Sequence, residues 1–153
     1  MSPEVDDSTI STDEAPLTRA SLVIKGFGDS PDSLSDLLNL VPTRSGRAGN
    51  ARRNVVGRMT DRLVRGTYWA LHSDAEHRAS ISLHIANLLA KIGDSRFGKT
   101  ELPLGTRVTL RCTVIPNGDL PLICVESHLM HRLGELGVSL EIDIVSVEAG
   151  PES

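Results

Sequence analysis

The stretch from Gly66 to Ile92 constrains the fold most, because it carries two different hydrophobic periods separated by one polar break, Ser73 to Arg78. Its first piece, Gly-Thr-Tyr-Trp-Ala-Leu-His, holds the one Trp and one Tyr of the chain, residue types that suit a half-buried pleated strand. Its second piece begins at Ala79. There Ile81, Ile85, Leu88 and Ile92 recur at spacings of four, three and four, one stripe of an amphipathic helix. Leu89 and His84 border the stripe. A strand and a helix of this kind bury their apolar sides against each other, so the pattern predicts that Trp69 lies at least half buried beneath the helix Ser80–Ile92.

Aromatic residues make up only 3% of the chain, so the rest of the core must come from Leu, Ile and Val. Ala20 to Phe27 reads as a first strand with Leu22 and Ile24 on one face. Gly28-Asp29 turns the chain. Ser30-Pro31 is a helix start, a hydroxyl N-cap followed by Pro at the first helical position. Leu34, Leu37, Leu38 and Val41 supply the apolar side of that helix, and Pro42 is expected to end it. Beyond the central helix, Gly93 to Gly105 forms a long connection that Phe97, Leu102 and Leu104 should pin to the core. Val108, Leu110, Cys112 and Val114 alternate with Arg107, Thr109, Arg111 and Thr113, a strand with one wet face. Pro116-Asn117-Gly118-Asp119 predicts a hairpin turn, with Leu120 to Glu126 returning as the partner strand. Ser127 is placed as the cap of a short helix whose inner side is Leu129, Met130, Leu133 and Leu136, and Gly137 fits its C-terminal cap. Val138, Leu140, Ile142 and Ile144 then alternate with Ser139, Glu141, Asp143 and Val145 in a last strand.

The predicted order is β-α-β-α-β-β-α-β, with room for a short extra strand at Val55-Val56. From the Trp strand onward this is the split βαβ order of ferredoxin-like folds. The expected class is α+β, a mostly antiparallel sheet with helices packed on one face. At 153 residues there is room for one domain with a genuine core. Residues 1–18 read as a disordered acidic tail, with Glu4, Asp6, Asp7, Asp13 and Glu14 and no Lys or Arg. Residues 19–149 are the α+β domain, with an arginine-rich insert at 44–65, and 150–153 are a disordered end. No run approaches the roughly 18 apolar residues of a membrane span. The acidic N-terminus has no basic n-region or apolar h-region, so a cytoplasmic protein is expected.

Several runs carry a resemblance. They are Gly26-Phe27-Gly28, Ser30-Pro31-Asp32 leading to Leu38-Asn39-Leu40-Val41-Pro42-Thr43, Tyr68-Trp69-Ala70-Leu71, His84-Ile85 with Leu88-Leu89, and Leu136-Gly137 leading to Leu140-Glu141-Ile142-Asp143-Ile144. Together they resemble the bacterial family called domain of unknown function 4279, over about Ala20 to Glu148. The family brings no established reaction, cofactor or catalytic residue, so the resemblance implies none.

The chemically capable residues each have a plain structural reading. His128 and His131, three apart on a helix, could face one metal, but no third ligand stands nearby, and solvated helix histidines account for them. His84 reads as a buried neutral imidazole with one hydrogen bond. Glu141 and Asp143 share one strand face and could do acid/base work if burial separated their pKa values; a wet sheet face is the simpler account. Cys112 and Cys124 oppose each other in one hairpin register and lie on opposite faces in the other. A cytoplasmic chain keeps them as two apolar core thiols. The sequence contains no GxSxG, Walker loop, HExxH, CxxC or GxGxxG.

The arginine segment is the strongest functional lead. Arg44, Arg47, Arg52, Arg53, Arg58, Arg62 and Arg65 stand against the single acid Asp61, a net +6 in a chain of net −4. Arginine forks bind phosphate and carboxylate bidentately, and Gly46, Gly49 and Asn50 would let a backbone come close. The aromatic interleaving of single-strand binders is missing, since Tyr68 and Trp69 stand at the far end. A solvated loop held by the acidic tail is the plain reading. The sequence thus points to a non-enzymatic binding module without cofactor or metal, recognising a protein partner. The alternatives are anion or nucleic-acid binding through Arg44–Arg65, and then an enzyme with an unrecognised site.

Overall fold

The structure, a computed structural model, describes residues 15–28, 30–49, 51–53, 59–63, 66–93 and 95–145. Its centre is β1 (Leu17–Lys25), whose apolar residues alternate with polar ones. It is flanked by two antiparallel neighbours, β5 (Tyr68–His72) and β6 (Arg107–Ile115). A three-residue strand β2 (Arg44–Gly46) extends the sheet beyond β5, and β7 (Ser139–Ile144) extends it beyond β6, giving the order β2-β5-β1-β6-β7. Among the described residues only the β6–β7 pairing is parallel. Two further strands, β3 (Ala51–Arg53) and β4 (Met59–Leu63), pair with each other as a separate hairpin.

The class is therefore α+β, with an open sheet rather than a barrel. The split βαβ unit is present, since β5 and β6 run parallel to each other on either side of β1 and are joined through α2 (Ile81–Gly93). β6, α3 (Ser127–Glu135) and β7 form a second crossover, this time between adjacent strands. The ferredoxin-like order is met only in part, because no strand forms at Leu120–Glu126. The reason lies in the sheet. Both edges of β6 are already taken, by β1 and β7, so a returning hairpin strand has nowhere to pair. Pro121 also lacks an N–H for a ladder. The segment runs extended along the surface instead, with Leu120 and Leu122 out in solvent and the Cys124 carbonyl accepting from Ser82 Oγ at 3.1 Å. Cys124 is exposed and Cys112 buried, so the expected pair of core thiols is corrected to one. Burial pushes the Cys112 thiol up to about 11.

The three helices of the described residues cover the same sheet face. Leu34 and Leu38 from α1 (Pro31–Leu38), Ile85 and Leu88 from α2, and Leu129 and Leu133 from α3 join Leu22, Ile24, Trp69, Leu110 and Val114 in one core. Each fully buried Leu or Ile contributes about 1.5–3 kcal/mol over an exposed one. Trp69 is 0% exposed, as its alternation requires. Its cover includes α1 as well as the central helix, because the indole Nε1–H donates to Ser35 Oγ at 2.9 Å and Ser35 in turn donates to the Pro31 carbonyl at 3.1 Å.

The helix termini follow the sequence in part. The Ser33 N–H donates to Ser30 Oγ at 3.2 Å, with Pro31 opening α1. Ser80 caps α2 through the Leu83 N–H at 3.2 Å. α1 ends at Asn39 in a left-handed conformation (φ 57°), before Pro42 is reached, and Val41 lies in solvent. Glu126 rather than Ser127 is the N-cap of α3, without a side-chain bond, and Met130 is half exposed. Its C-terminus closes as a Schellman motif: Gly137 (φ 72°) donates to Gly134 O at 3.1 Å and Val138 to Leu133 O at 2.9 Å. In the connection before β6, Phe97 is buried and Leu102 packs partly on the core, but Leu104 is 101% exposed, which corrects its expected anchoring role. β1 begins at Leu17, with Thr18 buried, so the ordered domain starts before Arg19. The rest of the predicted acidic tail, the strand at Val55-Val56 and the C-terminal end at 150–153 lie outside the described residues. No helix among the described residues is long and apolar enough to cross a membrane.

Candidate functional site: the open face of the sheet

The helices leave the second face of the sheet uncovered, and strand alternation sends the polar half of each strand there. On β1 these residues are Arg19, Ser21, Val23 and Lys25, opposite the buried Thr18, Ala20, Leu22 and Ile24. The register sets them in rungs. Tyr68, Lys25 and Arg107 lie side by side; Arg44, Ala70, Val23 and Thr109 form the next rung; His72, Ser21, Arg111 and Glu141 the third; and Arg19, Thr113 and Asp143 the last.

Side-chain size shapes this face. Ser21, Val23 and Ala70 are short and sit in the middle, while Arg19, Lys25, Arg44 and Arg111 stand around them. The result is a hollow of about 620 Å³ whose wall carries those four cations and no carboxylate. Tyr68 and His72 complete the β5 side. A smaller hollow of about 270 Å³ adjoins it toward β7, lined by Arg107, Thr109 and Glu141 among others. Arg111 Nε donates to Glu141 Oε1 at 2.8 Å. Both partners are exposed, so the pair contributes under about 1 kcal/mol. The pair offsets the charge of both groups, and Asp143 in the next rung adds a carboxylate at the β7 margin of the face.

The chain belongs to a known family. The family described as a domain of unknown function (DUF4279) matches residues 16–146, most of the chain. No curated protein and no solved structure matches it. The cationic hollow of this DUF4279 domain is built from residues of β1, β2, β5 and β6.

The arginines singled out in the sequence divide between this face and the hairpin beside it. Arg44 is half buried in β2 and lines the hollow, and Arg47 is exposed just beyond. Arg52 and Arg53 lie in β3 and Arg62 in β4. Arg58 and Arg65 fall outside the described residues. The hairpin springs from the Gly46–Tyr68 rung, where the Ala48 N–H donates to Thr67 Oγ1 at 3.0 Å, so the arginine segment is rooted at one end of the hollow. Sequence reasoning missed Arg19, Lys25 and Arg111 as partners of Arg44. The polar alternation of β1 and β6 was a usable signal for which side they face, but nothing local says that those strands adjoin.

The remaining candidates stay apart. His128 and His131 are exposed on α3 beside Glu126 and Glu135 respectively, and no group of three ligating residues occurs among the described residues. Glu141 and Asp143 are exposed. His84 is buried in α2 with Nδ1 at 2.8 Å from Ser73 Oγ. Ser73 Oγ also accepts from the Ala75 N–H at 3.0 Å, which ties the ring into the β5–α2 loop, while Nε2 is buried without a hydrogen-bond partner among the described residues. The network holds the β5–α2 loop against β1, where the Thr18 N–H donates to His77 O at 2.6 Å and the Ser73 N–H to Ala20 O at 2.9 Å.

Burial lowers His84 from 6.5, with His77 adding to the drop and the Glu76 backbone carbonyl opposing it. Burial likewise lowers His72, helped by the Arg44 and Lys91 charges. Both groups bind protons more weakly folded than unfolded. Their contribution is thus complete above pH 6.5 and is lost as pH falls below it, because the unfolded chain protonates first. Urea midpoints measured from pH 8 down to 5.5 should fall over the lower part of that range, and His72→Gln should flatten the fall. A midpoint that is constant or rises toward pH 5.5 contradicts this assignment.

Proposed function

We propose that this DUF4279 chain is a non-enzymatic binding module that recognises a protein partner through the open face of its sheet, and that it does so in the cytoplasm. The observation that carries the reading is the hollow itself, short side chains at the floor and four cations at the wall, on a face that no helix among the described residues covers. A ledge of this shape gives a partner surface both complementarity and steering. The two unpaired cysteines fit a reducing compartment.

A second reading, nucleic-acid or other anion binding through Arg44–Arg65, is favoured by one observation, the rooting of the arginine hairpin at the end of the same hollow. One experiment separates the two. Full-length chain and the variants Lys25→Glu with Arg111→Glu, and Arg52→Ala with Arg53→Ala, are used to capture partners from a lysate of the native host. The protein-partner reading expects a discrete protein whose capture is lost with the first variant and survives nuclease. Recovery only of nucleic acid, with a salt slope flattened by the second variant, replaces it with the second reading.

A further inference from the structure

The hollow is elongated along β1, and its charges are arranged with the repeat of an extended chain. Lys25 and Arg19 stand at its two ends on one strand, six residues and therefore about 20 Å apart. Between them the same face of β1 offers Val23, flanked by Ala70, and then Ser21, flanked by His72 and Arg111. Arg44 stands beyond Ala70 in the Val23 rung. Among the described residues neither Arg19 nor Lys25 has a carboxylate partner, and both are exposed. Across the strands the face changes sign, since Glu141 and Asp143 close its β7 margin.

The geometry points to an extended acidic peptide segment of about seven residues as the occupant, lying along β1 with acidic side chains over Lys25 and Arg19. This inference rests on the protein-partner reading above and specifies its ligand. In an extended segment every second side chain faces the sheet, so its first, third, fifth and seventh residues meet the four β1 positions in turn. The first and seventh face Lys25 and Arg19 and carry carboxylates. The third sits over Val23 and Ala70 and is small and apolar. The fifth faces Ser21 beside His72 and Arg111 and is again acidic. A phosphodiester strand carries a charge at every step, whereas β1 presents cations only at Lys25 and Arg19, with the uncharged Val23 and Ser21 between them. The charge pattern therefore favours the peptide.

The test uses the full chain and three labelled probes at one ionic strength. The first is the end-capped heptapeptide Glu-Ser-Ala-Ser-Asp-Ser-Glu, the second a peptide of the same composition with its three acids contiguous, and the third a seven-nucleotide oligothymidylate. The patterned peptide is expected to bind about tenfold more tightly than the other two, a difference of about 1.4 kcal/mol. Arg19→Gln with Lys25→Gln should remove most of that binding while leaving the circular dichroism unchanged, because both side chains are exposed. Equal binding of the contiguous peptide overturns the spacing argument, and tighter binding of the oligothymidylate overturns the choice of peptide. If neither peptide binds but partner capture is still lost with Lys25→Glu and Arg111→Glu, this inference fails and the protein-partner reading stands. If capture is indifferent to those substitutions as well, the reading fails with it.

Discussion

Trp69→Ala is expected to destabilise the domain by about 3–5 kcal/mol, the cost of deleting a large aromatic from a packed core. Trp69 is fully buried, and its neighbours come from two directions: the sheet floor of Ile24 and Leu22, and the helices above. Those elements are themselves hydrogen-bonded in register, so the cavity left behind cannot collapse cheaply. Part of the loss belongs to the indole N–H. Ser35→Ala keeps the ring but strands its donor, and should cost about 1–3 kcal/mol by itself. Denaturant titration followed by circular dichroism is the suitable measurement, because Trp69 is the one tryptophan available as a fluorescent reporter. A loss under about 1 kcal/mol for Trp69→Ala would place the ring outside the core.

Gly26→Ala should be almost as damaging, at about 3 kcal/mol, although it adds a single methyl group. Gly26 ends β1 at φ 83°, in the left-handed region, and it crosses closely over Gly105, which precedes β6 at φ 87°. A Cβ at Gly26 would run into the Gly105 carbonyl oxygen, a backbone atom that cannot swing aside as a side chain does. The substitution must therefore pry apart the ends of the central β1–β6 pair, next to the Lys25–Arg107 rung. Gly28→Ala is the control: it has no positive φ, and a Cβ there meets nothing within 4 Å. It should shift stability by less than about 0.5 kcal/mol. Similar midpoints for the two variants in the same titration would show that the Gly26–Gly105 crossing carries no strain of this kind.

These two residues also mark how far the sequence can be read. Trp69 was legible as core because burial of a strand residue is a matter of local period: Tyr68 and Ala70 alternate with it, and the helix stripe of Ile81, Ile85 and Leu88 needs a cover. The same reasoning located Ser30 as a cap, since a cap is made by residues within one turn of each other. Gly26 appeared only as part of a family-like run. Its partner is 79 positions away, and its requirement for glycine comes from that partner's carbonyl.

The misread segment, Leu120–Glu126, fails for a related reason. Pro116-Asn117-Gly118-Asp119 has sound hairpin chemistry, but a hairpin needs a free edge, and the edge of β6 is held by β7 from farther along the chain. Leu140 and Ile142 of β7 pack against the core from within the sheet, while Leu120 and Leu122 stay in solvent and the unpaired segment reaches the core through Ile123 and Val125.

The functional surface divides in the same way. The alternation of Arg19, Ser21, Val23 and Lys25 with Ala20, Leu22 and Ile24 determined by itself which side chains face water, and the arginine count over 44–65 determined where charge is dense in the chain. Only the tertiary structure decided that Arg44, Lys25, Arg19 and Arg111, spread over 93 positions, share one hollow. A strand's period encodes which face is wet but carries no record of its neighbours. Those are chosen by the order β2-β5-β1-β6-β7, in which five segments of the chain are brought edge to edge by backbone hydrogen bonds that any residue except proline can make.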